Sequence, residues 1–317
     1  MLRLVIQRGL LALATLVLVS LVIFGATEVL PGDVASAILG REATPARLAA
    51  LRAELGLDQP APSRYFEWLG GAVRGDFGRS LARPAAPVGP LIAERMRVTG
   101  WLALIATLIG VPLALGLGIS AGLLRDHPAD LAISVVALVA QSVPEFVIGA
   151  LLILAFGITW PILPAVTVVS SDAPLAALAP NLVLPAATLV IVMTAYVLRM
   201  VRGSLIDVLD SEYIHMATLK GLPHRRVIAA HALPNALLPT INAVALTVAW
   251  LIGGVVVVET VFNLPGVGRL MVSAVEDRDL PLVQALGLLG AACYIGINLL
   301  ADLATLWLSP RLRARQR

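Results

Sequence analysis

The sequence predicts an all-α polytopic membrane protein: six transmembrane helices, a folded outer segment after the first span, and a cytoplasmic loop with a short helix between spans four and five. Three observations carry this prediction. Hydrophobic residues make up 59% of the 317 positions and charged residues only 14%, against about 25% charged in soluble domains. A chain this apolar has the bilayer as its expected solvent. Six apolar runs, at 9–30, 98–124, 131–157, 182–201, 236–258 and 283–308, reach the length of about 20 residues that a spanning helix needs. The basic residues between them are lopsided. With a cytoplasmic N-terminus, twelve of the 23 lysines and arginines fall inside, and only Arg269 and Arg278 fall in short outer loops. The other nine lie in residues 31–97, a loop too long for the positive-inside rule to govern. Both termini are therefore expected in the cytoplasm.

Taken in order, the first run follows Arg3 and Arg8. It is too long for a signal core and ends in no small-x-small cleavage site, so it reads as an uncleaved span. In residues 31–97, Thr44 can cap a helix with Pro45 at its first position and Gly56 as its stop. Leu48, Leu51 and Leu55 would form its apolar face. A second short helix is expected around Tyr65, Phe66 and Leu69. Two readings of this segment stand together: a cap on the bundle, or a docking surface for a partner outside the membrane. Span two places Gly110, Ala114, Gly118 and Gly122 four residues apart. Such a ridge lets another helix approach closely, from this chain or from a second one. In span three, Pro144 predicts a kink or opening.

The polar stretch HMATLKGLPHRRVIAAHALPN, residues 215–235, holds the only lysine, three of the four histidines and two adjacent arginines. A helix is expected to run past Arg199, Arg202, Asp207 and Glu212. Ala217 and Gly221 would share a nearly bare face one turn apart. Gly221 permits a break, Pro223 opens a second short helix, and Leu233-Pro234-Asn235 closes it before span five. Such a pair of helices suits either another protein's surface or an anionic lipid interface.

Three acidic residues lie in or near spans: Glu145 beside Pro144 and Gln141, Glu259 at the outer end of span five, and Asp302 with Asn298 one turn before it. An ionisable group at membrane depth faces a bundle interior or a wet cavity. Glu145 thus lines a translocation path, meeting a substrate amine or cation, or else ties neighbouring helices together. The histidines do not have metal-site spacing. Cys293 is the only cysteine, so neither a disulfide within the chain nor a cysteine metal site is possible. No nucleophile–base pair and no catalytic carboxylate pair is evident, so no catalytic residue is assigned. A net charge of +3 gives no reason to expect nucleic acid as a partner.

Ala217, Gly221 and Leu233-Pro234 stand at the spacing of the EAA loop of ABC-importer permeases. The acidic first position of that loop is His215 here and its first alanine is Met216, and the peptide branch looks more like EYIHMATLKGL, as it reads from Glu212. The resemblance covers essentially the whole chain: LPGD at 30–33, LGLDQP at 55–60, RYFEWLGG at 64–71, GDFGRSL at 75–81, SVPEF at 142–146, ETVFNLPGVGRL at 259–270 and RDLPLVQ at 278–284. These resemble the first permease of dipeptide, oligopeptide and nickel importers. The resemblance implies a transmembrane helix over 1–30, an extracytoplasmic segment over 31–97, and a five-helix permease core over 98–317 with its EAA-type loop at 204–235. It implies a bacterial or archaeal inner membrane. It also implies partners: a second homologous permease, two ABC ATPase subunits and an extracytoplasmic binding protein. His215, Ala217, Lys220, Gly221, Leu222, Pro223, Arg225, Arg226, Leu233 and Pro234 would couple to the ATPase. Gln141, Glu145, Glu259 and Asn263 would line the substrate pathway.

One point is independent of the resemblance. A phosphate-binding P-loop needs a lysine after glycine and before serine or threonine. Lys220 instead follows Leu219 and precedes Gly221. No cofactor is therefore expected on this chain, with ATP and magnesium on partner ATPase subunits. Dipeptide, oligopeptide, glutathione, an opine-like solute and nickel are the candidate cargoes. A secondary transporter driven by an ion gradient is the rival of a different class; it would usually show inverted repeats, and none is evident.

Overall fold

The computed structural model describes residues 2–29, 44–54, 58–83 and 86–308. Among them the chain is helical, with one isolated bridge between Arg79 and Pro87. Helix α1 spans Leu2–Val29, α2 Pro45–Glu54, α3 Ala61–Val73 and α4 Val88–Leu123. Next come α5, Pro128–Ser142, and α6, Glu145–Leu152, which a π-helical turn extends through Ile153–Thr159. Then follow α7, Leu175–Leu209, α8, Glu212–Leu219, and α9, His224–Arg226. A second π-helical turn, Val227–Ala232, joins α9 to α10, Leu233–Val261. Helices α11, Val267–Glu276, and α12, Leu280–Leu308, complete the chain. Among the described residues five helices are long and apolar enough to cross a membrane, and counting the bent pair α5–α6 as one span gives six. LPGD at 30–33, Gly56 and the basic C-terminal residues from 311 onward lie outside the described residues.

Several elements differ from the sequence expectation. The helix expected to run past Glu212 instead breaks at Asp210-Ser211, between α7 and α8, and α7 begins at Leu175 rather than 182. Helix α4 starts ten residues early, at Val88 rather than at 98. Glu94, Arg95 and Arg97 disguise that extension as loop, yet Val88 and Ile92 are buried against Leu270, Leu282 and Leu286. At ~1.5 Å per residue the helix is ~54 Å long, well beyond the ~30 Å hydrocarbon core. Span three is two helices bent by 103° at Val143-Pro144. Proline has no amide hydrogen to donate and pushes the residue before it into extended backbone. Finally, Leu233-Pro234-Asn235 does not end a helix. The π-helical turn at Val227–Ala232 precedes Pro234, and the chain runs on into α10; such a turn absorbs the misfit a proline creates.

Both short helices expected in residues 31–97 are present, while Leu55, expected on the apolar face of the first, lies with Gly56 outside the described residues. Thr44 Oγ1 accepts the Arg47 amide at 3.4 Å at the start of α2. Helix α3 rests on α1 through Phe24, buried Tyr65 and Trp68, and the Tyr65 hydroxyl pairs with Ser20 Oγ at 2.8 Å.

The central core is the seam between α4 and α7. Leu102 and Ala106 of α4 and Leu182, Leu189 and Val201 of α7 are among its buried members. The glycine ridge of span two finds its partner inside the chain. A Cβ on Gly110 would meet Met193, one on Gly118 would meet Val201 and the Leu198 carbonyl, and one on Gly122 would meet Leu205. The contacts predict different costs. At Gly118 the obstacles are Val201 Cβ at 2.6 Å and backbone oxygen at 2.7 Å, which can yield only if the helices part. Gly118→Ala should lower stability by about 1–3 kcal/mol, the usual range for overpacking. At Gly110 the obstacle is Met193 Cε at 2.5 Å, the end of a flexible side chain, so Gly110→Ala should cost well under that. Thermal unfolding of the two purified variants checks the ranking; equal midpoints would refute it.

Smaller cores close the two ends of the bundle. Leu205, Ile214, Val227, Ala232 and Ala236 pack together at one end, beside α8. At the other, beside α11, Leu270, Ala274 and Leu282 cover the start of α4.

Candidate functional site

Helix α8 forms a corner with α9. Gly221, at φ +78°, closes α8. Its amide donates to the Thr218 carbonyl at 2.9 Å, and the Leu222 amide donates to the Ala217 carbonyl at 3.4 Å. This is a Schellman closure, in which a left-handed residue satisfies the last free carbonyls of a helix. Ile214 is buried in the end core with Leu205 of α7, Val227 and Ala236. Ala217, Leu222 and Leu233 rest against the same core. Ala217 therefore turns toward the chain itself. The outward surface is made by Tyr213, Met216 and Leu219, which are 41%, 51% and 68% exposed, with His215, Lys220, Gly221, Pro223, Arg225 and Arg226 exposed around them. Those three side chains follow a three-residue spacing along α8, a signal present in the sequence beside the small residues Ala217 and Gly221.

The four pathway candidates occupy two places. Gln141, at the end of α5, accepts a hydrogen bond from the Arg199 guanidinium. It lines a cavity of about 430 Å³ with Met193, Tyr196, Thr247, Trp250 and Tyr294. Beyond the bend, Glu145 opens α6. Its Oε2 is buried and has no hydrogen-bond partner among the described residues. This oxygen rests against α10: a Cβ on Gly254 would lie 3.1 Å both from it and from the Trp250 ring.

Glu259 and Asn263 sit at the far end of α10, outside the cavity lining. Glu259 is fully buried. Thr99 Oγ1 of α4 donates to its Oε1 at 2.5 Å, and the Gly268 and Arg269 amides donate to its Oε2 at 2.8 and 3.1 Å. A carboxylate thus caps the first turn of α11, where free amides and the helix dipole favour an anion. The spacing of ETVFNLPGVGRL follows from this geometry. A Cβ on Gly266 would lie 2.0 Å from Glu259 Oε1, and one on Gly268 would lie 2.5 Å from Val256 Cα. Asn263, itself left-handed at φ +55°, donates through Nδ2 to the Thr167 carbonyl at 2.9 Å. That bond pins the loop between α6 and α7. Two other motifs meet nearby, where Ser80 Oγ and the Leu81 amide of GDFGRSL both donate to buried Asp279 of RDLPLVQ.

Comparison with known proteins agrees over the length of the chain. Residues 114–314 match a family described as binding-protein-dependent transport system inner membrane component, and residues 1–103 match the N-terminal membrane component of such systems. A probable peptide ABC transporter permease of Sinorhizobium fredii is 35% identical, with 98% of each chain covered. A putative peptide transport system permease of Brucella abortus is 37% identical, and the glutathione transport system permease of Escherichia coli 36% identical, with 99% of each chain covered in both cases.

Proposed function

The chain belongs to the family of binding-protein-dependent transport system inner membrane components and is a permease subunit of an ABC importer, and from that premise we propose that it carries short peptides and takes its drive from a separate ATPase at α8. The named relatives are peptide and glutathione permeases, which supports a peptide cargo over nickel. The permease would pair with a homologous second permease, two ATPase subunits that bind ATP and magnesium, and an extracytoplasmic binding protein. The distribution of lysine and arginine supports a cytoplasmic α8 end with both termini, and an outward α11 end.

One observation carries the coupling reading. Ile214 anchors α8 in a core shared with the end of α7 and the start of α10, and Ile119 of α4 packs against the same core. An ATPase seated on Tyr213, Met216 and Leu219 and on the basic residues around them would move α8. Close-packed interiors transmit such a displacement instead of absorbing it, so three spans would follow.

The test is uptake by proteoliposomes that contain this chain, its second permease, the ATPases and the binding protein. ATP-dependent accumulation of labelled di- or oligopeptide is the expected result. Accumulation of nickel alone would replace the cargo assignment. Uptake by this chain alone under an ion gradient would overturn the coupling reading.

A further inference from the structure

We infer that the cavity between α5, α7, α10 and α12 is a binding site for a short zwitterionic peptide, with Glu145 receiving its ammonium group and Arg199 its carboxylate; this rests on the peptide reading above. The lining is suited to a small solute. It is largely aromatic and apolar, with Tyr196, Trp250 and Tyr294 as walls and Gln141 and Thr247 as isolated polar groups. Ligand sites combine this kind of wall with a few placed polar groups, at volumes of about 300–1,000 Å³.

Neither charged residue lines the cavity itself; each adjoins a residue that does, Arg199 through Gln141 and Glu145 beside Trp250, toward opposite ends. Helix α7 runs toward the α8 end, and Arg199 lies one turn past Tyr196 in that direction. Helix α10 runs the opposite way, and Gly254, against which Glu145 rests, lies one turn past Trp250 toward the α11 end. An ammonium group held at Glu145 would therefore lie beside the Trp250 ring, where carboxylate and ring face attract it together. The buried Oε2 of Glu145 has no hydrogen-bond partner among the described residues, and an orphaned polar atom in a low-dielectric site is costly. A side-chain rotation that brings this oxygen to the cavity wall beside Trp250 would let a ligand ammonium satisfy it. At the other end, Arg199 is exposed and donates to a cavity-lining Gln141, which leaves its remaining guanidinium hydrogens for a carboxylate.

The test uses the assembled importer in detergent without its binding protein. Trialanine, N-acetyl-trialanine and trialanine amide are titrated while indole fluorescence is read. Trialanine should bind saturably, and the Trp250→Phe complex should lose the signal. N-acetylation should weaken binding about ten-fold, the scale of one charge-assisted hydrogen bond. Glu145→Gln should weaken trialanine by a similar factor and make acetylation irrelevant. Arg199→Gln should do the same for amidation. Because acetylation is tested on the unmodified chain, the outcome does not depend on how the variants fold. Equal binding of trialanine and its acetyl form would overturn the site, as would a signal that survives Trp250→Phe. No saturable binding to a complex that accumulates peptide with ATP and binding protein would overturn the site alone. A complex that neither binds nor accumulates peptide would overturn the peptide reading as well.

Discussion

Glu259→Ala is expected to unfold the corner between α10 and α11 and to abolish assembly of the permease. The carboxylate is fully buried and accepts from one hydroxyl and two backbone amides. Truncation strands all three donors, the Gly268 amide in a buried position and the Thr99 hydroxyl and Arg269 amide in partly buried ones. Each stranded donor costs about 1–3 kcal/mol, and removing one side of a buried charged network typically costs roughly 3–5 kcal/mol. That is a large share of a margin of about 5–15 kcal/mol. Glu259→Gln keeps one oxygen but turns an NH₂ toward either Thr99 or the amides, so it should fall between wild type and alanine. Gly266→Ala should resemble Glu259→Ala, because its Cβ would lie 2.0 Å from the Glu259 oxygen and must expel the carboxylate from the cap. Thermal unfolding of the purified chain, together with its yield in complex with its partners, gives the order. The same measurement separates two roles for Glu259. A residue that served only as a pathway ligand would lower uptake on truncation and leave the unfolding midpoint in place.

This corner also shows how far the sequence can be read. The six spans were legible because apolar length against bilayer thickness is a one-dimensional property. The α8 corner was legible because Gly221, Pro223 and the charges around them act through local backbone rules. What escaped was non-local. Thr99 and Glu259 are 160 residues apart, and nothing in either neighbourhood announces the bond. Ser80 and Asp279 lie in two stretches that the family resemblance marked separately, and only the fold joins them. The extension of α4 through Glu94, Arg95 and Arg97 was read as loop because those charges break the hydropathy run, although buried Val88 and Ile92 hold the helix together. The bend at Pro144 was legible as a weakness; its size, 103°, was not, because neighbouring helices set it. The cavity was missed for the same reason, since its aromatic walls come from α7, α10 and α12.

Gly221→Trp is expected to lower ATP-driven uptake by about ten-fold or more, the equivalent of about 1.4 kcal/mol of lost docking, while leaving the folded chain largely intact. The residue holds φ +78°, where any other L-residue pays about 1–2 kcal/mol of backbone strain. Within the chain the space around it is open, and a Cβ there meets nothing within 4 Å. A bulky side chain at this exposed position therefore starts from open space, with no neighbour against its Cβ. It projects into whatever seats on Lys220 and Pro223. Gly221→Ala separates the two effects, because it adds the strain and almost none of the bulk. The alanine variant should lose a few-fold at most in uptake, and tryptophan or glutamate should lose far more. ATPase retention, measured by co-purification, should follow the same order. If the tryptophan variant holds its ATPase and imports at the wild-type rate, α8 is not where the motor grips. The close packing of Ile214 against Leu205 and Ala236 would then serve only to close the end of the bundle. If it fails to import while its unfolding midpoint stays near that of the alanine variant, the loss lies in contact with another subunit. Since the alanine variant carries the same backbone strain, the basic, partly apolar surface of α8 and α9 is then the ground on which that subunit sits.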